Sequence, residues 1–380
     1  MIIGYDAKRI VCNGTGLGSY SRTLINDLSA TAAPDITLNL YTPEKGNDAF
    51  RKQIKERANI RFVYPDNCHF RLQRDLWRVK GIVSDLRRDG VRLFHGLSGE
   101  LPIGIKSSGI KTVVTIHDII FMRHPEYYNW LDTKIYAWKF KKTCQEADRI
   151  IAISECTKRD ITLFGEVDPE KIDVVYQSCG LRFKLHESEK KLHEVHTDYL
   201  LPKRYIVNVG TIEERKNILL AVKALRFLPE DVSLVVVGKP TPYINKVKAY
   251  IAINGLNDRV RFLHNVPYDD LPAIYQMAEA CVYPSRYEGF GIPIIEAIQS
   301  GLPVVACTGS CLEEAGGNDS LYVDPEDAFG MAEAIKKVLK GAGGRDERIE
   351  RSQQYITRFE GNNVAQQVLE VYDRLLIQGK

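Results

Sequence analysis

The sequence CVYPSRYEGFGIPIIEAIQSGLPVVA, residues 281–306, places two short apolar runs on either side of a helix-forming stretch. The runs at 281–283 and 303–306 predict strands, because apolar runs bounded by Gly and Pro are typical of buried strands. Residues 293–300 predict a helix, with Pro293 near its start, where proline is favoured. A strand, a helix and a second strand in this order form a βαβ unit, in which the two strands run parallel.

The same alternation extends outward through both halves of the chain. In the second half, strands are predicted at 205–209, 233–237, 260–263 and 321–323, and helices at 216–227, 241–253, 269–278 and 326–340. In the first half, strands are predicted at 2–5, 36–41, 60–63, 93–95, 112–116, 149–153 and 172–175, and helices at 17–30, 68–89, 126–146 and 155–164. We therefore expect an α/β protein built from two doubly wound, Rossmann-like sheets.

The domain boundary is expected where the alternation is interrupted. Residues 183–198 are polar and charged, and they predict a linker or an exposed helix. We place one domain at 1–185 and a second at 186–360. The tail, 361–380, predicts an amphipathic helix that packs back on the first domain, because its apolar positions recur at helical spacing.

Composition excludes several classes of protein. The chain has 380 residues, of which 44% are hydrophobic and 27% charged, so it is neither disordered nor embedded in a membrane. The first residues, MIIGYD, predict a core strand and not a signal peptide, which favours a cytoplasmic location. The eight cysteines form no C-x-x-C pair, and we expect them to be reduced and mostly buried.

The charge is distributed unevenly. Residues 1–185 carry 29 Lys and Arg against 22 Asp and Glu, a net charge of +7, whereas the remainder has a net charge of −4. Most of the excess lies in 51–92. Either this segment presents ordinary solvated helix faces, or, with its aromatic neighbours, it contacts anionic lipid at the inner membrane. No recognised nucleic-acid-binding module accompanies it.

A glycine-rich loop, NGTGLGSY at 13–20, follows the first strand and precedes a helix. Gly16 and Gly18 would allow backbone N–H groups to approach a phosphate at the helix start. The spacing is not the dinucleotide fingerprint G-x-G-x-x-G, so an ordinary tight turn remains the alternative.

His117 and Asp118 come at the end of a strand that looks buried. A histidine there is commonly a structural hydrogen-bonding residue. Its place at the carboxyl end of a parallel strand also suits a role in binding.

The run GTIEERKN, 210–217, follows another predicted strand, which ends at Gly210. Arg215 and Lys216 would stand at the start of a helix, where positive charge opposes the helix dipole unless an anion lies there. The pair therefore predicts a phosphate-binding site, with an ordinary basic surface pair as the alternative.

The loop within the opening stretch carries two carboxylates. Glu288 lies in a glycine-rich loop with Gly289, Phe290 and Gly291. Glu296 follows with seven residues between the two carboxylates, in the first turn of the predicted helix. A carboxylate in an apolar helix requires a polar partner, and the vicinal hydroxyls of a ribose would serve. The loop could offer both a carboxylate and backbone N–H groups to a sugar.

These motifs together resemble the retaining GT-B glycosyltransferases of family four, also called group 1. The resemblance covers nearly the whole chain and rests on the Glu288-x7-Glu296 block and on the run 210–217. It also includes the loop 16–20, His117-Asp118 and the stretch ISECT at 153–157. It implies a deep cleft between the two domains and a C-terminal crossover helix. The run IHD at 116–118 with HPEYY at 124–128 looks like bacterial mannosyltransferases, which suggests GDP-mannose as the donor.

The resemblance also implies a role for each residue. Glu296 would hold the donor ribose, and Glu288 would contact the hydroxyls of the donor sugar. Arg215 and Lys216 would bind the diphosphate as it leaves. Gly16 and Gly18 would line the phosphate side of the cleft, and His117 would contact the donor sugar from the first domain. One departure from the family pattern is the run Cys311-Leu312-Glu313-Glu314, where many relatives have proline before the glutamate.

No cofactor and no metal ion are expected, because the chain has no Asp-x-Asp and two cations can stabilise the diphosphate. We expect a glycan or lipid-linked glycan acceptor, used in the assembly of a bacterial surface polysaccharide. Two other interpretations stay open at this point. One is a nucleotide-sugar epimerase of the same architecture, and the other is a non-catalytic nucleotide-sugar binding protein.

Overall fold

The computed structural model describes residues 1–66, 68 and 70–377. Asn67, His69 and residues 378–380 lie outside the described residues, and with them lie one position of the helix predicted at 68–89 and the end of the predicted tail segment. The chain forms two compact units. Unit 1 comprises Met1–Ser178 and Phe359–Lys380, and unit 2 comprises Cys179–Arg358.

The centre of unit 1 is a seven-stranded parallel sheet in the order β3-β2-β1-β4-β5-β6-β7. Its strands are β1 (Ile2–Asp6), β2 (Thr37–Tyr41), β3 (Ile60–Val63), β4 (Leu93–Gly96), β5 (Lys111–Ile116), β6 (Arg149–Ala152) and β7 (Ile172–Val174). Strand β1 lies between β2 and β4, with Tyr5 opposite Leu40 and His95. The strand order therefore reverses direction between β1 and β4, which is the switch point where ligands of such sheets bind.

Helices cover the sheet of unit 1. They are α1 (Lys8–Cys12), α2 (Gly16–Thr31), α3 (Asp48–Arg51), α4 (Arg71–Leu76), α5 (Ile82–Arg88), α6 (Ile120–Arg123), α7 (Trp130–Glu146) and α8 (Glu155–Gly165). A π-helical turn, Trp77–Gly81, joins α4 to α5, so the helical region predicted at 68–89 contains an irregular centre.

Unit 2 contains a six-stranded parallel sheet in the order β10-β9-β8-β11-β12-β13. The strands are β8 (Tyr205–Val209), β9 (Ser233–Val237), β10 (Val260–Leu263), β11 (Ala280–Tyr283), β12 (Val304–Cys307) and β13 (Leu321–Val323). The helices are α9 (Glu189–Asp198), α10 (Ile218–Ala224), α11 (Ile244–Ile253), α12 (Leu271–Met277), α13 (Ile292–Gln299), α14 (Leu312–Gly316), α15 (Ala328–Lys336) and α16 (Arg345–Tyr355). The switch point of this sheet lies between β8 and β11.

The last helix, α17 (Gly361–Ile377), belongs to unit 1 and packs against α2. Its apolar residues recur every three or four positions, so they form one face that enters the core of this unit. The buried members of that face are Val364, Ala365, Val368, Val371, Tyr372 and Leu375.

The two parallel sheets confirm the fold predicted from the alternation. In both, the strands nearest the switch point are almost continuously apolar and buried on both faces, as expected for parallel sheets covered by helices. Within residues 1–66, 68 and 70–377, no helix is long and apolar enough to cross a bilayer.

Candidate active site

Two loops meet at the switch point of unit 2. One follows β8 and contains Arg215 and Lys216, and the other follows β11 and contains Glu288. The backbone N–H of Arg286 donates to the carbonyl of Arg215 at 2.9 Å, so the two loops are joined directly. Residues that the sequence separates by about seventy positions therefore form one site at the carboxyl edge of the sheet.

Glu288 forms ion pairs with both cations. Its Oε2 lies 2.8 Å from Nη1 of Arg215, and its Oε1 lies 2.6 Å from Nζ of Lys216. Arg215 also pairs with Glu213, 2.6 Å from Nη2, and donates to the carbonyl of Tyr287 at 2.6 Å. Glu288 thus supplies an anion to both Arg215 and Lys216.

The charges in this cluster stabilise one another. Burial alone would raise the pKa of Glu288, but Lys216 and Arg215 lower it to about 2. Burial alone would lower the pKa of Lys216, but the Glu288 carboxylate raises it above its ordinary value, and it does the same for Arg215. All three side chains are therefore ionised across the physiological range, and Glu288 acts as a fixed negative charge.

Tyr283 is a member of the cluster that the sequence analysis missed. It ends β11 as a buried residue, and its hydroxyl accepts from Nζ of Lys216 at 2.8 Å and donates to Oε1 of Glu288 at 3.3 Å. It contacts both members of the ion pair because parallel strands end at the same edge of the sheet. The signal was present in the sequence as a polar group at the end of an apolar strand.

The thiol of Cys311 contacts the backbone of the loop that carries Glu288. The thiol of Cys311 lies 2.8 Å from the carbonyl of Phe290 and 3.1 Å from that of Glu288. The ring of Phe290 is buried, so a contact between Phe290 and a donor would come from its backbone. Gly291 adopts a φ of 131°, a conformation that favours glycine, immediately before α13 begins. Gly289 lies between Glu288 and Phe290 in this loop.

Glu296 is buried one helical turn further along. The hydroxyl of Tyr275 lies 3.3 Å from its Oε2. Burial raises the pKa of Glu296 to about 7, and the hydrogen bond from Tyr275 opposes that rise. The placement of Glu296 in the first turn of its helix was wrong, because α13 begins at Ile292 and Glu296 is its fifth residue.

Lys216 and Arg215 lie just before a helix rather than inside it. They occupy a short 3-10 turn, Glu214–Lys216, and Asn217 then takes a left-handed conformation before α10. The aliphatic part of Lys216 lies close to Gly210, where an added Cβ would meet it at 3.8 Å. That distance is an ordinary contact, so the path of the lysine side chain does not require glycine at 210; the φ of 154° is what favours glycine there.

The glycine-rich loop belongs to unit 1 and is organised by Asn13. The Oδ1 atom of Asn13 accepts from the backbone N–H groups of Thr15 and Gly18, at 2.8 and 3.2 Å. An added Cβ at Gly18 would lie 1.9 Å from the carbonyl oxygen of Asn13, whereas one at Gly16 would meet nothing within 4 Å. The loop therefore requires glycine at 18, and the start of α2 is open at 16.

His117 follows β5 in unit 1, and both of its ring nitrogens are engaged. Nε2 donates to the carbonyl of Leu97 at 2.9 Å, so Nδ1 accepts from the amide of Gln177 at 2.7 Å. Burial lowers the pKa of His117 to about 4, which keeps the ring neutral. These contacts agree with the structural alternative, and a contact between His117 and a donor sugar stays a prediction.

A second buried histidine, His95, connects α17 to this region. Its Nδ1 lies 2.6 Å from the hydroxyl of Tyr372, and its Nε2 lies 2.8 Å from Oγ1 of Thr115. Thr115 in turn contacts the hydroxyl of Tyr20, whose ring packs edge-on against His117. The sequence analysis did not single out His95, because nothing in its neighbours along the chain predicts these partners.

Comparison with known families covers most of the chain. The profile of "Glycosyltransferase Family 4" matches residues 15–178, and that of "Glycosyl transferases group 1" matches residues 194–355. The chain is also 30% identical over 257 residues to the O-antigen chain mannosyltransferase RfbU of Salmonella typhimurium, which covers 67% of each chain. The chain belongs to glycosyltransferase family 4.

Other relatives of this glycosyltransferase carry similar names. It is 26% identical over 287 residues, 74% of each chain, to the O-antigen chain mannosyltransferase B of Escherichia coli. The crystal structure of Anabaena HepE in complex with UDP and glucose has the same fold, with a TM-score of 0.72 over 98% of this chain and 99% of that one, at 17% identity.

Family membership decides between the interpretations that the sequence left open. The chain is a glycosyltransferase with two Rossmann-like sheets of the GT-B type, and a transferase is favoured over an epimerase or a non-catalytic binding protein. A nucleotide-sugar donor and a glycan acceptor fit this family.

Proposed function

We propose that this glycosyltransferase moves mannose from GDP-mannose to a glycan or lipid-linked glycan, with retention at the anomeric carbon, during assembly of a bacterial surface polysaccharide. The observation that carries the proposal is the cluster of Arg215, Lys216 and Glu288 at the unit 2 switch point, with Glu296 buried on α13. The names of the O-antigen mannosyltransferases to which the chain is similar support the sugar and the acceptor class.

Arg215 and Lys216 would supply the main electrostatic contribution. As the bond to the anomeric carbon breaks, negative charge accumulates on the diphosphate and positive charge on the sugar ring. Preorganised cations aimed at the developing charge stabilise such a transition state. The diphosphate would share these two cations with Glu288, and we therefore propose that transfer needs no metal ion.

Glu288 would act as a charged group and not as an acid. Because Lys216 and Arg215 hold its pKa at about 2, it carries no proton to donate at neutral pH. Its carboxylate can accept hydrogen bonds from sugar hydroxyls and stabilise positive charge on the ring. A retaining reaction in which the acceptor attacks from the side of the departing diphosphate uses the carboxylate in this way.

Glu296 would bind the donor ribose. A pKa of about 7 places its titration within the physiological range, and the ionised form is the one that accepts hydrogen bonds from two vicinal hydroxyls. Donor affinity should accordingly increase as the pH rises through about 7. Gly16, Gly18 and His117 would contribute from unit 1.

A lipid-linked acceptor remains in a membrane, so we also propose that the enzyme works at the cytoplasmic surface of the inner membrane. We propose that this contact with the membrane is peripheral.

The donor can be tested by thermal shift. GDP-mannose, UDP-glucose and UDP-N-acetylglucosamine are each added without and with Mg²⁺ to the wild type and to Glu296→Ala. We expect GDP-mannose alone to raise the Tm of the wild type, without Mg²⁺, and to leave that of Glu296→Ala unchanged. A response to a UDP-sugar alone would contradict the choice of donor, and an absolute requirement for Mg²⁺ would contradict metal-free binding.

A further inference from the structure

Two helical segments of unit 1 expose apolar side chains along one face. In the first, Leu72, Leu76 and Val79 follow one another at helical spacing and are all exposed. In the second, Leu131, Ile135 and Trp138 on α7 repeat the same spacing. Phe70 and Trp130, at the starts of the two segments, are also exposed, by 70% and 67%. Apolar residues at such spacing usually face a core, and here they face outward.

The opposite sides of both segments are buried in the normal way. Trp77 and Ile82 enter the core beneath the first segment, and Phe140 and Cys144 do so beneath α7. Each segment therefore has an exposed apolar stripe as well as the buried face that holds it against the core of unit 1. Their exposure is not explained by the packing of unit 1.

The two stripes lie side by side. Glu100 joins the segments, with Oε2 2.5 Å from Nη1 of Arg78 and Oε1 3.5 Å from Nζ of Lys139. A pocket of about 100 Å³ opens between them, and its lining includes both Val79 and Trp138. The stripes thus meet at these two residues, and we call the two stripes together the stripe surface, defined by Phe70, Leu72, Leu76, Val79, Trp130, Leu131, Ile135 and Trp138.

Basic residues surround the stripe surface. Residues 70–80 and 128–142 contain eight Lys and Arg and two acidic residues, Asp75 and Asp132, but four of the cations pair with carboxylates outside these ranges: Arg74, Arg78, Lys139 and Lys142. Lys80, Lys134 and Lys141 are exposed beside the apolar side chains. An apolar centre with a positive margin is complementary to a bilayer whose headgroups are anionic.

The structure also narrows down which charges matter. The sequence analysis left open whether the basic segment 51–92 contacts anionic lipid or presents ordinary solvated helix faces. In the structure, Arg78 is buried between Asp6 and Glu100, and Arg88 pairs with Asp85. Such side chains are already paired with carboxylates, and the proposal rests on the exposed Lys80, Lys134 and Lys141 as the cations of the margin.

We propose that the stripe surface docks on an anionic lipid bilayer, with the aromatic side chains of Trp130 and Trp138 entering the headgroup region. This inference rests on the proposed function only for the reason why docking would be useful, since a lipid-linked acceptor is presented at a bilayer surface. Docking itself follows from the exposed apolar stripes and their basic margin. Indole rings favour the headgroup region because one part is apolar and the N–H group remains hydrated.

The test is flotation of the full chain, without nucleotide sugar, on vesicles of phosphatidylglycerol mixed with phosphatidylcholine and on vesicles of phosphatidylcholine alone. Two double variants remove apolar side chains of the stripe surface: Trp130→Ser/Trp138→Ser and Leu72→Ser/Leu76→Ser. A third, Lys134→Glu/Lys141→Glu, reverses the charge of the basic margin. The matched controls, Leu163→Ser in unit 1 and Ile253→Ser in unit 2, remove apolar side chains of similar exposure, 63% and 84%, away from the stripe surface.

We expect the wild type and both controls to bind the anionic vesicles, and each stripe-surface variant to bind them on the order of tenfold more weakly. Equal binding by the stripe-surface variants and the controls would overturn the proposal, as would equal binding of the wild type to neutral vesicles. A wild-type dimer in light scattering that becomes monomeric in the stripe-surface variants, without vesicle binding, would assign the surface to a second copy instead.

The same variants separate this inference from the proposed function. If the stripe-surface variants lose vesicle binding but keep the thermal shift with GDP-mannose, docking is supported independently of the donor site. If the wild type binds vesicles yet shows no response to any nucleotide sugar, the stripe surface stands and the proposed donor site fails.

Discussion

The switch point of unit 2 holds Glu288 between two cations, whereas the two buried histidines near the switch point of unit 1 lie in a neutral hydrogen-bonding network. In unit 2, Glu288 is held between Arg215 and Lys216, and these groups remain ionised because they shift one another's pKa values in opposite directions. In unit 1, His95 and His117 are buried among neutral hydrogen-bonding partners, and burial lowers their pKa values to about 3 and about 4. The same topology thus supports one edge suited to a leaving diphosphate and another that combines a neutral histidine network with the ion pair of Asp6 and Arg78.

This difference indicates that the charged cluster of unit 2 and the histidine network of unit 1 have different roles. A charged cluster that already satisfies itself can exchange one partner for a ligand without first desolvating its cations, so it is suited to binding an anion. A neutral network with both ring nitrogens of each histidine engaged is suited to fixing the positions of α2 and α17. The predictions below test this contrast, in order of decreasing effect.

Substitution of Lys216 should have the largest effect on transfer. We expect Lys216→Met to lower kcat by about 10²–10³, as removal of a preorganised donor does in other enzymes. Tyr283→Phe is the matched control, because it removes the hydroxyl that contacts Lys216 and keeps both ion pairs of Glu288. Steady-state kinetics with GDP-mannose measure both variants, and an unchanged kcat in Lys216→Met would remove the cluster from the mechanism.

The titration of Glu296 should be visible in stability. Its pKa is raised from 4.5 to about 7 on folding, so the protonated form is favoured and its contribution is lost as the pH rises through about 7. Relative to Glu296→Gln, which does not titrate, the wild type should lose about 3 kcal/mol of unfolding free energy between pH 4.5 and 8. Denaturation with urea across this range measures the difference, and parallel pH profiles would contradict the assignment.

The histidines of unit 1 should have the opposite dependence. The pKa of His117 falls from 6.5 to about 4 on folding, so its contribution is present above about pH 6.5 and is lost as the pH falls toward 4. Compared with His117→Gln, the wild type should lose about 2–3 kcal/mol over that range. If both proteins lose stability equally on acidification, the neutral ring of His117 is not the cause.

The glycine-rich loop offers a matched pair with a smaller effect. Gly18→Ala places a Cβ against the carbonyl of Asn13 and should cost about 1–3 kcal/mol of stability, as overpacking does. Gly16→Ala places its Cβ in open space at the start of α2 and should be neutral or slightly stabilising. Thermal denaturation of the two variants measures the contrast, and equal Tm values would show that the loop is not constrained at Gly18.

The sequence predicted the sheets well because their signal is local. Every strand was located, since each is a short apolar run bounded by turn residues. The helix at Glu189–Asp198 was left between a linker and a helix, and that at Arg345–Tyr355 was missed, because both are strongly polar and show little apolar periodicity. Their positions depend on contacts with the rest of unit 2.

The candidate site likewise contains residues that the sequence could predict and contacts that it could not. Arg215, Lys216, Glu288 and Glu296 could be selected from short motifs, since each lies beside a strand end or a helix start. Their ion pairs could not be predicted, because they join loops that follow β8 and β11. Tyr283, Cys311 and His95 were not selected, since their partners are brought near only when the strands align.

Slow hydrolysis of GDP-mannose without acceptor measures how far the cations of the cluster stabilise the leaving diphosphate, with Lys216→Met compared with the wild type. We expect the wild type to release GDP and free mannose without added metal, and Lys216→Met to do so at least about 10²-fold more slowly. Equal rates in the two proteins, or conversion of the donor to a different nucleotide sugar, would contradict this expectation.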